Sequence, residues 1–191
     1  AAALAQAALD AAGRQHTRLP AETLTAQLVA DLAREVIGLS QRIKDTDKLI
    51  EARFRQHRHA TVITSLPGIG TLLGAEFLAT TGGEMTAFGT ADRLASFAGL
   101  APRPRDSGRI SGNLHRPQYY HRGLNRVFYL SAQVSIQSSA ESRTFYQRKR
   151  TEGKRHTQAV IALARRRVNV LWALLRDHRP YQPTPPITAA T

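Results

Sequence analysis

The chain contains no cysteine, one tryptophan, one methionine and few aromatic residues of any kind, 6% in all. Without thiols it can form neither a disulfide nor a cysteine–zinc site, which fits a reducing cytosol. No apolar run reaches the length of a membrane span. The opening AAALAQAALDAAG lacks the basic start of a secretory signal. Acidic residues are also scarce: 14 Asp and Glu stand against 27 Lys and Arg, for a net charge of +13. That balance favours nucleic acid, with ribosomal-type packing or an anionic membrane surface as the bland alternatives. Most of the excess is arginine, which suits bidentate contact with phosphate.

What is present is enough for one domain with a real core plus an extension: 191 residues, 42% of them hydrophobic. The chain starts without Met inside a helical pattern, so a fragment of a longer protein is expected, with an N-terminal domain lying outside it. Residues 1–12 are alanine-rich and helix-prone, with Gly13 as a stop. After Pro20 a long helix is expected from about Ala21 to His57. Val29, Leu32, Val36, Leu39, Ile43 and Ile50 recur in alternating steps of three and four, with Thr46 filling one gap. That is a heptad seam, and it predicts a coiled coil that pairs two subunits or reaches to another domain, against the alternative of a helix packed on its own domain.

Thr61 to Gly82 reads as helix, a tight Pro67-Gly68-Ile69-Gly70 turn, and a second helix. This resembles a helix-hairpin-helix, in which Gly68 and Gly70 let backbone N–H groups approach a phosphate. The plainer reading is an αα-hairpin whose glycines only permit close packing.

The stretch with the most chemistry is LASFAGLAPRPRDSGRISG, residues 94–112. A short apolar helix is stopped by Pro102 and Pro104. An exposed turn follows, with Ser107 before Gly108 and arginines at 103, 105, 109 and, further on, 116. A hydroxyl among guanidinium groups is what phosphoryl transfer to a serine needs, because the arginines would hold the phosphodiester and stabilise charge in the transition state. The plainer reading is a solvated turn that touches phosphate. Tyr119 and Tyr120, in an Arg- and His-rich strip, are the alternative nucleophiles; packing or base stacking is their commoner use.

Three further helical patterns close the chain, the last from Thr157 to Asp177 with Trp172 expected in the core. Arg165, Arg166 and Arg167 form either a solvated face or a backbone-binding stripe, and the recurrence of basic runs along the chain favours binding. From Pro180 the tail is extended. No convincing strand pair and no metal-binding constellation is found: His57 and His59 point apart on a helix, and Glu76, Glu84, Asp92 and Asp106 are scattered. The fold expected is all-α, with a helical and coiled-coil extension over residues 1–60, a compact domain over 61–181 and a tail over 182–191.

LPGIG, LASFAGLAPRPRDSG, RGLNRVFYLSA and FYQRKRTEGKRHTQAVIALARRRVNVLWALLRD occur in that order. Together they closely resemble the C-terminal domain of the IS-one-ten family of insertion-sequence transposases, also called bridge recombinases. The resemblance covers about residues 61–181, and the coiled coil before it matches the family plan. It implies a serine nucleophile at Ser107 and a phosphoserine intermediate. It implies an N-terminal RuvC-like domain, outside these residues, whose acidic tetrad binds magnesium (Mg2+). It implies a coiled coil that joins the RuvC-like site of one subunit to the serine domain of another, and a structured bridge RNA that pairs with donor and target DNA. The expected setting is the bacterial cytoplasm, at the nucleoid. One departure is visible: where the family usually carries a lysine before Gly-Asn, this chain reads His121-Arg122-Gly123-Leu124-Asn125. Arg122 keeps the charge there, so phosphate contact is expected to survive. The third reading is a non-catalytic module that grips DNA or RNA through the hairpin and the arginine stripes.

Overall fold

The computed structural model describes residues 6–7, 10–11, 13–14, 21–104, 106–109, 111–112, 114–115 and 117–183. Nearly all of the regular structure is helical. The order is α1 (Glu22–Arg55), α2 (Ala60–Ser65), α3 (Thr71–Thr81), a 3-10 turn (Met85–Ala87), α4 (Ala91–Phe97), β1 (Arg103–Pro104), β2 (Leu114–His115), α5 (Arg122–Ser138), α6 (Ala140–Thr151) and α7 (His156–Arg176). The chain divides into two compact units, Ala1–Thr46 and Asp47–Thr191.

In the first unit α1 is exposed almost throughout, its apolar seam included. The second unit is built around α5 and α7. In α5 the buried positions are Leu124, Val127, Phe128, Ser131, Ala132 and Ser135, one stripe of a 3.6-residue helix. In α7 the stripe runs Ala159, Val160, Leu163, Ala164, Arg167, Val168, Leu171, Leu174 and Leu175. Ile63, Phe77 and Leu94 bring α2, α3 and α4 into the same core. Phe77 and Phe128 meet edge to face, with ring centroids 6.0 Å apart. Phe54, near the end of α1, is buried where Gly74 of α3 leaves room: a Cβ on Gly74 would stand 2.5 Å from the Phe54 ring.

Local signals place the helix starts. The Thr90 hydroxyl accepts from the Arg93 N–H at 3.2 Å and opens α4; the Ser139 hydroxyl accepts from the Ser142 N–H at 3.3 Å and opens α6. Gly82, at φ +65, closes α3 in the left-handed conformation.

One feature departs from the all-helical expectation. β1 and β2 form a two-residue antiparallel ladder, Arg103 opposite His115 and Pro104 opposite Leu114. No periodicity announces strands this short. They form because the chain leaves the core at Leu100 and must return at Tyr120, where the Phe97 carbonyl accepts from the His121 N–H at 2.8 Å. A chain whose ends are pinned together folds back on itself. Trp172 is half-buried and packs against the edge of the core.

Candidate nucleic-acid interface

The loop of residues 101–120 is held at its base by α4 and α5. Besides the His121 contact, the Asn125 side-chain amide donates to the Ala98 carbonyl at 2.9 Å. Gly99, at φ +68, lets the Tyr120 ring lie against the backbone; a Cβ there would come within 2.4 Å of it. From this anchored base the loop carries Ser107 into solvent. Ser107, Gly108 and Arg109 are all exposed, as is Arg103 on β1. Gly108 is left-handed at φ +31 and a side chain there would meet nothing, so the backbone beside Ser107 is open to approach. Arg105 and Arg116 lie outside the described residues. Among the described residues, none hydrogen-bonds to the Ser107 hydroxyl.

Other expected phosphate contacts are placed differently. Arg122 is exposed as the first residue of α5, and that helix has no acidic residue in its first turn. Gly70 is exposed at the N-cap of α3. Gly68 instead faces inward: at φ +83 its backbone presses on α5, and a Cβ would sit 2.5 Å from the Ser131 carbonyl oxygen. The close approach that needs this glycine is therefore to a helix of the same chain, which corrects its expected role at a phosphate.

Arg165, Arg166 and Arg167 do not form one stripe either. Consecutive residues on a helix are about 100° apart, and the three point to different partners. Arg165 pairs with Asp92 of α4 and with Asn169. Arg166 lies over the Phe145 ring of α6, 5.2 Å from its centroid, where Arg148 also packs at 5.1 Å. Arg167 is 4% exposed. Its Nε donates to the Ser131 hydroxyl at 2.8 Å and its Nη2 to the Pro67 carbonyl. Burial pulls its pKa down to about 10, so it stays charged at neutral pH. It clamps the Pro67–Gly68 turn to α5 and α7 and is no surface contact for phosphate. The signal was available: position 167 falls on the same stripe as Leu163, Ala164, Val168 and Leu171.

Of the two tyrosines, Tyr119 is 88% exposed, whereas Tyr120 is wedged against Gly99. Sequence reading missed an aromatic group beside them. The Phe97 ring meets those of Phe88 and His121, with centroids 5.6 and 5.4 Å away, and its plane lies within 29° of parallel to that of His121.

No group of three or more His, Asp or Glu among the described residues is placed to hold a metal ion. The residues present therefore do not fit the carboxylate set that a RuvC-like magnesium site would need, and no chemical step is assigned to such a site here. The rings of His57, His59 and His178 do cluster, each neighbouring pair 5.4 Å apart. His59 is buried with its Nδ1 unpartnered. Burial, then the nearby Arg58, His57 and His178, push its pKa below the ordinary histidine value, while Glu84 opposes them.

The site is thus an exposed serine on a pinned, arginine-bearing loop of a basic helical domain. Residues 60–147 match the family model described as Transposase IS116/IS110/IS902 family. The chain carries a domain of that transposase family. It is 63% identical over 187 residues to the insertion element IS900 uncharacterized 42 kDa protein of Mycobacterium paratuberculosis, covering 98% of this chain and 47% of the relative. It is 36% identical to the mini-circle putative transposase for IS117 of Streptomyces coelicolor, over 70% of this chain and 32% of that protein. It is 30% identical to a pilin gene-inverting protein of Moraxella bovis, over 70% of this chain and 42% of that one. The chain spans about half the length of the curated relatives it matches first.

Proposed function

We propose that this chain is the serine-bearing domain of a DNA transposase that cuts and exchanges strands through a phosphoserine intermediate. Ser107 Oγ attacks a DNA phosphorus; the new O–P bond forms as the bond to the leaving strand's sugar oxygen breaks, and that oxygen takes up a proton. The ester keeps the bond energy, so reversal onto a second strand reseals DNA without a nucleotide cofactor. Arg103 and Arg109, with Arg105 and Arg116, neutralise the phosphate oxygens, and Arg122 and the open Gly70 add backbone contacts. The Ser107 proton leaves to an acceptor that is not among the described residues. A bridge RNA aligns donor and target DNA. The setting is the bacterial cytoplasm at the nucleoid; among the described residues no helix is long and apolar enough to cross a membrane. The observation that carries the reading is the exposure of Ser107 on a loop whose two ends are pinned at α4 and α5.

The exposed seam of α1 supports self-association. Val29, Val36, Ile43 and Ile50 fall at a, and Leu32 and Leu39 at d, the distribution that favours parallel two-stranded coils. Arg42 at g and Asp47 at the following e would then pair across the two strands.

Exposure of Tyr119 favours a second reading, a phosphotyrosine route. Both are tested by trapping the full-length protein on a nicked DNA substrate. Loss of the covalent adduct in Ser107→Ala, with phosphoserine released from the native adduct by acid, supports the first. Persistence of the adduct in Ser107→Ala, with phosphotyrosine released, transfers the role to Tyr119. Salt-sensitive DNA binding in the absence of any adduct leaves only a binding module.

A further inference from the structure

We infer that Phe97 and His121 form a stacking platform for one unpaired nucleobase, set at the base of the Ser107 loop. The inference deepens the nucleic-acid reading and rests on it. Phenylalanine normally hides in a helical core, yet Phe97, the last residue of α4, is 44% exposed. It is not loosely placed: the Phe88 and His121 rings both pack on it. The backbone locks the pair, because the Phe97 carbonyl accepts from the His121 N–H. The His121 ring is fixed in turn, its Nδ1 accepting from the Leu124 N–H at 3.2 Å. In the neutral ring that leaves the proton on Nε2, a donor for a base edge or a phosphate.

The result is a stacked Phe97–His121 pair with both rings exposed. Arg122 is exposed directly after His121, and Tyr119 stands in solvent two residues before it. Aromatic rings beside cations are the recognition chemistry of single-stranded nucleic acid: the rings take any base by its face, and the cation takes the backbone. A base in a duplex is already stacked on its neighbours and has no free face to offer. The pair therefore selects a nucleotide that strand opening or a loop has exposed. Both ends of the Ser107 loop pass through this junction, so a base held here would fix the register of the strand in the loop.

The test uses the whole chain and oligonucleotides carrying 2-aminopurine, whose fluorescence is quenched by stacking. Single-stranded DNA, single-stranded RNA and duplex DNA of one sequence are titrated in parallel. Phe97→Leu keeps an apolar side chain of similar bulk, His121→Asn keeps a helix-capping acceptor, and Phe97→Trp restores a ring; melting temperature checks that each variant is folded. The expected result is quenching by the native chain with a single strand but not with the duplex. Phe97→Leu and His121→Asn should each weaken single-strand binding about tenfold and lose the quench, with duplex binding unchanged and Phe97→Trp restoring both. Quenching by DNA alone assigns the base to the substrate strand, by RNA alone to the guide, and by both to either source; each supports the platform. Equal quenching by duplex and single strand, or native behaviour in both folded ring-deletion variants, overturns it. Salt-sensitive duplex binding that survives alongside that result leaves the proposed function intact and sinks only this inference.

Discussion

The seam of α1 and the stripe of α7 have the burial of their residues reversed. Val36 is 62% exposed and Ile43 61%, while the charged Arg167 on α7 is 4% exposed. Hydropathy predicts the opposite order. The difference is in what each helix is packed against. Around Arg167 a carbonyl and a hydroxyl replace water, so its charge stays solvated inside the core. Along α1 the apolar residues keep the heptad spacing of a helix made to meet another helix. One region is a finished core, and the other has the pattern of half of one.

The sharpest way to break the comparison is to remove the buried charge. Arg167→Ala should destabilise the second unit by about 3 kcal/mol, because it opens a cavity and strands the Pro67 carbonyl and Ser131 hydroxyl. Arg167→Met, which fills the space, should lose less, and chemical denaturation compares the two. If both variants unfold like the native chain, the arginine is not the clamp described.

The second test asks whether the α1 seam is covered in solution. The chain has no cysteine, so Val36→Cys introduces a single thiol at an a position. A parallel, in-register pair places the two thiols side by side, and oxidation should crosslink most of the protein into dimer. Leu39→Asp should abolish that dimer on sizing columns while leaving the melting of the second unit within about 0.5 kcal/mol.

The smallest expected effect concerns His59. Its pKa is lowered in the folded chain, so between that value and about 6.5 the unfolded chain binds the extra proton. The stability it contributes is complete above about 6.5 and is lost as pH falls through the folded value. Melting curves from pH 7.5 to 5 should show this decline, and His59→Gln should flatten it.

Much of the fold was readable from local pattern. The long helix expected from Ala21 to His57 is α1, Glu22–Arg55, and the last helix differs from expectation by one residue at each end. Periodicity acts over a few turns, so it survives any choice of partners. The candidate site was read less evenly. Pro102, Pro104, Ser107 and Gly108 announce an exposed loop by their own backbone preferences. The roles of Gly68 and Arg167 could not be read from residue type, because a glycine in a turn and an arginine in a basic run fit phosphate and packing alike. Only the i, i+3, i+4 position of Arg167 on α7 hinted at the inside. Phe97 and His121, 24 positions apart, meet only when α4 and α5 are joined.

The sequence alone determined the helical class, the positive charge, the heptad seam and the ordered blocks that mark a transposase family, since each is written in composition or in spacing along the chain. Tertiary structure alone decided which arginine lies in the core, which glycine touches a helix, which rings stack and which histidine loses its water. Those outcomes depend on the groups that distant segments bring within a few ångströms, and no local pattern encodes that distance.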